Sequence, residues 1–230
     1  MLPSLRVRHS GHELLDEPVL DPAALRLNLR EMARLNRLPG GVTTSRRAID
    51  RLLDGTSDPT VLDVGTGSAD LPAALVRKTN GRAVRVLASD LRPEILAYAR
   101  ARVGRLEGVE VLQADARDLP LADGAVDVAH ASLVMHHLDP TDAVAALREM
   151  RRVARRGVVV NDLRRSPFAF AVTAATVLAL TRGRYTRRDG LLSARRAYTL
   201  RELDDLAAAA GLRRIWRSAP FLPRVVTVYR

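Results

Sequence analysis

Thr60-Val61-Leu62-Asp63-Val64-Gly65-Thr66-Gly67-Ser68-Ala69-Asp70 decides the fold. An apolar, β-branched run breaks off at Gly-x-Gly, and a helical pattern follows. That is a buried strand feeding a tight turn, where missing side chains let backbone approach a ligand. The turn amides and the first helix N–H groups then face whatever lies above the strand end.

Outward from this stretch, strands and helices alternate. Val61–Val64 reads as a strand, Ala69–Thr79 as a helix, Ala83–Ala88 as a strand and Pro93–Val103 as a helix. Val109–Gln113 and Val126–Ala131 read as strands, Pro140–Arg155 as a helix and Val158–Val160 as a strand. This order predicts an α/β fold, a doubly wound and mostly parallel sheet with its crevice at the carboxyl ends of the strands. Before it, two helices form an N-terminal cap. The first runs from Asp21-Pro22 to Leu38 with Leu25, Leu29 and Met32 on one face; the second buries Ile49, Leu52 and Leu53 and stops at Asp54-Gly55. After it come an apolar helix over Ser166–Arg182, an Arg-rich loop through Arg196, and a helix opened by the capping box Thr199-x-x-Glu202. Ile215–Ser218 and Val225–Tyr229 close the sheet. The expected division is a helical cap over residues 1–58 and a binding core over 59–230, one structural domain overall.

Composition narrows the function classes. At 230 residues the chain suits one domain with a substantial core. It has no cysteine, which excludes disulfides, thiolate zinc sites and cysteine nucleophiles. The N-terminus lacks a signal-peptide core, and Phe168 to Thr181 falls short of the ~20 residues that span a bilayer. A cytoplasmic protein without a membrane span is the expectation. The formal net charge is +11, yet Lys78 is the only lysine, so 36 of the 37 basic residues are arginine. They are spread along the chain with few aromatics between them, a pattern of GC-rich coding rather than of a nucleic-acid surface.

The ligand is narrowed by acids. A dinucleotide fingerprint needs a third glycine where this chain has Asp70. Asp63, Asp90 and Asp115 instead close three consecutive strands; Asp90 is placed to accept from ribose hydroxyls and Asp115 from an adenine amino group.

Val61-Leu62-Asp63-Val64-Gly65-Thr66-Gly67-Ser68-Ala69-Asp70, Ser89-Asp90-Leu91 and Ala114-Asp115-Ala116-Arg117-Asp118-Leu119-Pro120 together resemble the class I S-adenosylmethionine-dependent methyltransferases. The resemblance runs from about Val61 to Asp162 and departs from the family at Ala69, where a third glycine is common. It implies a seven-stranded Rossmann-like sheet and S-adenosylmethionine as cofactor. It further implies that Asp63 organises the Gly turn, that Gly65 and Gly67 make room for the methionine part, and that Asp90 takes the ribose. Leu91 would pack on the adenine, Asp115 with Ala116 would bind its edge, and Ser132 would lie beside the cofactor.

The end of the fourth strand, Ser132-Leu133-Val134-Met135-His136-His137-Leu138-Asp139-Pro140, lacks the Asn/Asp-Pro-Pro-aromatic motif of enzymes that methylate amines. It resembles the small-molecule branch, notably the ubiquinone and menaquinone biosynthesis methyltransferases. His136 and His137 are the candidate bases, since an imidazole of pKa ~6.5 can assist ionisation of a phenol of pKa ~10. Neighbours on a turn point apart, so at most one of them is expected to reach the substrate. Arg164 and Arg165 after the fifth strand, Phe168 on the apolar helix, and Tyr198 are the candidate substrate contacts, with Asp162 placed to orient a hydroxyl. Arg37, Gly40 and Gly41 lie between the N-terminal helices, within reach of the cofactor's carboxylate. No metal is expected, because the histidines lack an acidic ligand cluster in the sequence.

The expected reaction is methyl transfer to oxygen, second to carbon, of a small apolar phenolic, quinone-precursor or polyketide-like metabolite, with the apolar helix serving as substrate lid or homodimer contact. The rivals are an RNA methyltransferase, suggested by charge, and a non-catalytic cofactor-binding or scaffold protein.

Overall fold

A computed structural model describes residues 5–17, 21–77, 83–219 and 223–230. Seven strands form one sheet in the order β3-β2-β1-β4-β5-β7-β6. They are β1 (Thr60–Val64), β2 (Arg85–Asp90), β3 (Val109–Gln113), β4 (Val126–Ser132), β5 (Ala154–Leu163), β6 (Arg214–Arg217) and β7 (Arg224–Tyr229). All pairings are parallel except those of β7 with β5 and β6. The chain winds outward from β1 through β2 to β3, then returns to β4 on the other side of β1. Strand order therefore reverses at β1/β4, and the crevice outside their carboxyl ends is where an open α/β sheet takes its ligand.

The helices are α1 (Pro22–Leu35), α2 (Val42–Leu52), α3 (Asp70–Arg77), α4 (Pro93–Val103), α5 (Pro140–Val153), α6 (Pro167–Leu180), α7 (Arg184–Arg196) and α8 (Leu200–Ala209). Apolar strand residues feed two cores, one on each face of the sheet. Leu62, Val64, Ala129 and Val160 pack under α5 and α8, whereas Val61, Val86, Val128 and Val159 pack under α2 and α3. Burial on both faces explains why β1, β4 and β5 carry apolar residues at successive positions, as in Val61-Leu62, Val128-Ala129 and Val158-Val159-Val160.

Most expected elements are present with ends moved by a few residues. The strand expected over Val158–Val160 is ten residues long, because β5 starts at Ala154 directly from the end of α5. Lys78 and Thr79 of the expected third helix lie outside the described residues. The capping box is formed: the Thr199 hydroxyl accepts from Glu202 N–H at 3.2 Å, and Thr199 N–H donates to the Glu202 carboxylate at 2.7 Å.

One element is corrected. The stretch expected as a solvated Arg-rich loop is helix α7, and it buries Tyr185, Thr186, Asp189, Ser193, Ala194 and Arg196. Its interior face is mostly polar and is satisfied by residues from elsewhere. Glu31 of α1 accepts from the N–H groups of Arg182 and Gly183 and from the Thr186 hydroxyl. Asp189 accepts from Leu14 and Leu15 N–H, and the Ser193 hydroxyl donates to Glu13. Among the described residues no helix is long and apolar enough to cross a membrane.

Candidate active site

A cavity of about 530 Å³ opens above the carboxyl ends of β1, β2 and β4, roofed by residues 13–16, α1, α6 and α7. The Gly turn forms its floor. Gly65, Gly67 and also Ala69 adopt left-handed backbone, with φ of 64°, 53° and 54°. A side chain at Gly65 would strike Val134, but one at Gly67 would meet no atom within 4 Å. The glycine at 67 is favoured by its φ and leaves open space over the turn.

Asp63 holds the turn from below. Its carboxylate accepts from the Thr66 hydroxyl at 2.7 Å and from His130 Nδ1 at 2.7 Å, and His130 Nε2 in turn meets the Ser45 hydroxyl at 2.9 Å. Asp90 accepts from Gly67 N–H at 3.1 Å and Arg92 N–H at 3.2 Å. Burial pushes the Asp90 carboxyl above its ordinary value, against the lowering effect of those backbone donors. Asp115 is drawn below its ordinary value by Arg117, whose guanidinium clasps both of its oxygens at 2.6 to 3.2 Å. Leu91, Ala116 and Ser132 also line the cavity. The structure therefore brings Asp63, Gly65, Gly67, Asp90, Leu91, Asp115, Ala116 and Ser132 to one wall.

The two histidines, carried by the 3-10 turn Met135–His137, also line the cavity. His136 is buried, and its Nδ1 donates to Asp162 at 2.6 Å. Asp162 also accepts from His136 N–H and Leu163 N–H. Burial would raise the Asp162 carboxyl, but the His136 ring and these donors outweigh it and hold the group below its usual range. Fixing the proton on Nδ1 leaves Nε2 of His136 as the free acceptor. Asp162, expected to orient a hydroxyl, orients this imidazole instead. His137 is partly exposed; burial lowers its pKa, but the Asp16 hydrogen bond and the Glu13 charge prevail and hold it above its ordinary value.

The four expected substrate contacts are placed elsewhere. None of Arg164, Arg165, Phe168 and Tyr198 lines the cavity. Arg165 is buried and grips Glu202 through both terminal nitrogens, at 2.9 and 2.6 Å. The Tyr198 hydroxyl donates to Leu138 O at 2.8 Å beneath the Arg8 guanidinium. Phe168 is exposed on the outer face of α6, whereas Thr173, Thr176 and Val177 of that helix face the cavity. Arg37 does not line it either, although its neighbours Asn36 and Leu38 do.

Two features escaped the sequence. Arg224, from β7, reaches the cavity and donates to Asn161, Asn36 and Ser132 at 3.2, 2.7 and 2.8 Å. Burial pulls it down to about 10 against the charges of Asp162 and Asp70. It is a buried cation without a carboxylate in direct contact among the described residues, which suits it to a ligand's anion. The second is Glu13, buried between His136 and His137. The acidic ligand that the sequence around the histidines lacks is thus brought to them by the fold.

Residues 61–157 match the family model for a methyltransferase domain. That stretch of the chain is a methyltransferase domain. Over 114 residues the chain is 37% identical to demethylmenaquinone methyltransferase of Thermus thermophilus, covering 49% of either protein. It is 36% identical over 101 residues to a ubiquinone/menaquinone biosynthesis C-methyltransferase of Klebsiella pneumoniae, covering 43% of this chain and 39% of that one. The chain thus spans half or less of the length of these curated relatives. A crystal structure of a SAM-dependent methyltransferase from Aquifex aeolicus superposes with a TM-score of 0.64, covering 92% of this chain and 98% of that one at 22% identity. The methyltransferase domain supplies the floor of the cavity, while residues outside it supply the roof.

Proposed function

We propose that the protein transfers a methyl group from S-adenosylmethionine to a hydroxyl oxygen of a small, largely apolar phenolic, quinone-precursor or polyketide-like acceptor. The observation that carries this reading is a proton-accepting imidazole, His136 backed by Asp162, in one cavity with the Gly turn and Asp90. The unfilled space over Gly67 and the acids closing β2 and β3 fit the cofactor, which supplies an electrophilic methyl on sulfonium when bound. Asp90 would hold the ribose hydroxyls, Asp115 and Ala116 the adenine edge beside Leu91, and Arg224 the amino-acid carboxylate.

His136 Nε2 accepts the hydroxyl proton as the oxygen becomes nucleophilic, and the Asp162 carboxylate stabilises the resulting imidazolium. Walls from Met32, Leu35, Leu29 and Val177 exclude water and favour an apolar ring. The residue positions do the remaining work, since alignment of reacting atoms ~3 Å apart supplies much of the rate in such transfers.

Incubation with methyl-labelled S-adenosylmethionine and a panel of phenols, hydroxyquinones and polyketide lactones tests the proposal. Label in an O-methyl product supports it; absence of turnover across the panel together with tight cofactor binding overturns it in favour of a binding protein. Transfer to carbon is the second reading, favoured by the name of the Klebsiella relative; an ionised phenol also attacks from its ortho carbon, and the product's mass spectrum and proton NMR separate the two.

A further inference from the structure

Away from the Gly turn, a group of titratable side chains lies where residues 13–16 meet the Met135–His137 turn and α7. Glu13, His136 and His137 each offer one donor atom there, all within 4.8 Å of one another. Glu13 Oε1 is 3.9 Å from His136 Nε2, and Oε2 is 3.6 Å from His137 Nε2. Among the described residues no arginine pairs with the Glu13 carboxylate, which accepts from the Ser193 hydroxyl at 2.9 Å and from the Asp16 N–H in a capping box. A buried carboxylate between two imidazoles is costly unless a proton or a metal ion fills the gap.

We propose that Glu13, His136 and His137 bind one zinc-like first-row divalent cation, with a further coordination position open to the cavity that all three side chains line. Two imidazoles and a carboxylate suit Zn²⁺ and its neighbours, whereas Mg²⁺ and Ca²⁺ favour all-oxygen sets. The outer shell fits as well. Metal-bound histidines generally donate their other ring nitrogen to a carboxylate or carbonyl. His136 Nδ1 meets Asp162 at 2.6 Å, and His137 Nδ1 meets Asp16 at 3.3 Å. With ligands at ~2.1 Å the edge of a tetrahedral site is about 3.4 Å; the three donor atoms, all within 4.8 Å of one another, must draw together to hold an ion.

The role of the cation rests on the proposed methyl transfer; its binding does not. An ion held there would lower the pKa of an acceptor hydroxyl at the open position, whose proton would leave before the cavity closes, and would so supply the activation that His136 Nε2 supplies without it. The O–CH3 bond then forms as the S–CH3 bond breaks, leaving S-adenosylhomocysteine.

The test is titration of chelator-treated protein with Co²⁺, followed by visible absorption and calorimetry, with S-adenosylhomocysteine binding measured in parallel. One Co²⁺ per chain is expected, with the absorption of a four- or five-coordinate site and displacement by Zn²⁺. Glu13→Gln and His137→Gln should each weaken binding at least about tenfold, and Asp162→Asn by about tenfold through the His136 ring. If Glu13→Gln fails to fold by circular dichroism, the partly exposed His137 carries the comparison. No binding below about 1 mM overturns the proposal. So does binding undiminished in the ligand variants, which would put the ion on other histidines such as His9 and His12. Cobalt binding without S-adenosylhomocysteine binding would remove only the methyl-transfer reading; the converse would remove only the metal site.

Discussion

Asp90 is a residue whose cost to the fold and whose use to the site have the same origin. Burial raises its carboxyl pKa, so the ionised form is disfavoured in the folded protein. A carboxyl raised above its unfolded value contributes stability below that value and loses it as pH rises through the folded one. At neutral pH the charge at Asp90 is therefore a burden, carried where ribose hydroxyls would come to meet it. Asp90→Asn is expected to hold or raise the melting temperature at pH 7 while weakening S-adenosylhomocysteine binding about tenfold or more. Calorimetry showing unchanged affinity would take Asp90 out of the site. At Gly67 both quantities should fall: Gly67→Ala brings a methyl into open space, but its φ of 53° costs about 1 kcal/mol, and the methyl would intrude on the proposed ligand. Asp63, Gly65, Gly67 and Asp90 were legible because strand end, turn and acid sit within a few residues of one another. Arg224, Glu13 and the pairing of Asp162 with His136 were not, since each meets its partners only through the fold.

At the scale of elements, α7 shows why polarity can hide a helix. Its sequence has Gly190 in the middle, many arginines and no apolar stripe, all of which argue for a loop. Its inward face is instead bonded to Glu31, Glu13 and the Leu14–Leu15 amides. Burial would raise the Glu31 carboxyl, but the Arg182 and Gly183 amides and the Thr186 hydroxyl reverse this and hold it below its ordinary value. Such a group contributes stability present above its unfolded pKa and lost as pH falls through the folded one. The urea midpoint of the protein should therefore fall as pH drops from about 5 towards 3. Glu31→Gln should cost about 1–3 kcal/mol at pH 7, and the variant should show less of that acid-dependent loss. An identical pH slope in the variant would show that Glu31 does not anchor the start of α7. The β-strands, in contrast, were legible because a sheet covered on both faces demands β-branched and apolar residues at successive positions, and only their ends moved.

At the scale of the molecule, the cavity is built from two halves of different origin. The ends of β1, β2 and β3 present the Gly turn and the acids, whereas the histidine wall is held by residues far apart in the chain. Arg196 of α7 donates to His136 O at 3.1 Å and His137 O at 2.7 Å, and it pairs with Asp16 at 2.8 Å. Arg8 reaches the same turn, donating to His136 O and Leu138 O at 2.9 and 2.8 Å, and to Arg196 O at 2.7 Å. Two guanidiniums thus clamp the turn that carries the proposed proton acceptor, and neither touches the Gly turn. This arrangement predicts a separation of effects. Arg196→Met removes a buried cation from its carboxylate and should lower stability by about 3 kcal/mol. It should also lower turnover while leaving S-adenosylhomocysteine affinity within about twofold, a change too small to signal a lost hydrogen bond to a charged group. Because Arg8 and Arg196 share the His136 carbonyl, their effects on turnover should fail to add in a double-mutant cycle, whereas each should add to that of Asp90→Asn. Loss of S-adenosylhomocysteine binding in Arg196→Met protein that remains folded would show that the two halves are coupled. The histidine wall would then belong to the cofactor as much as to the acceptor.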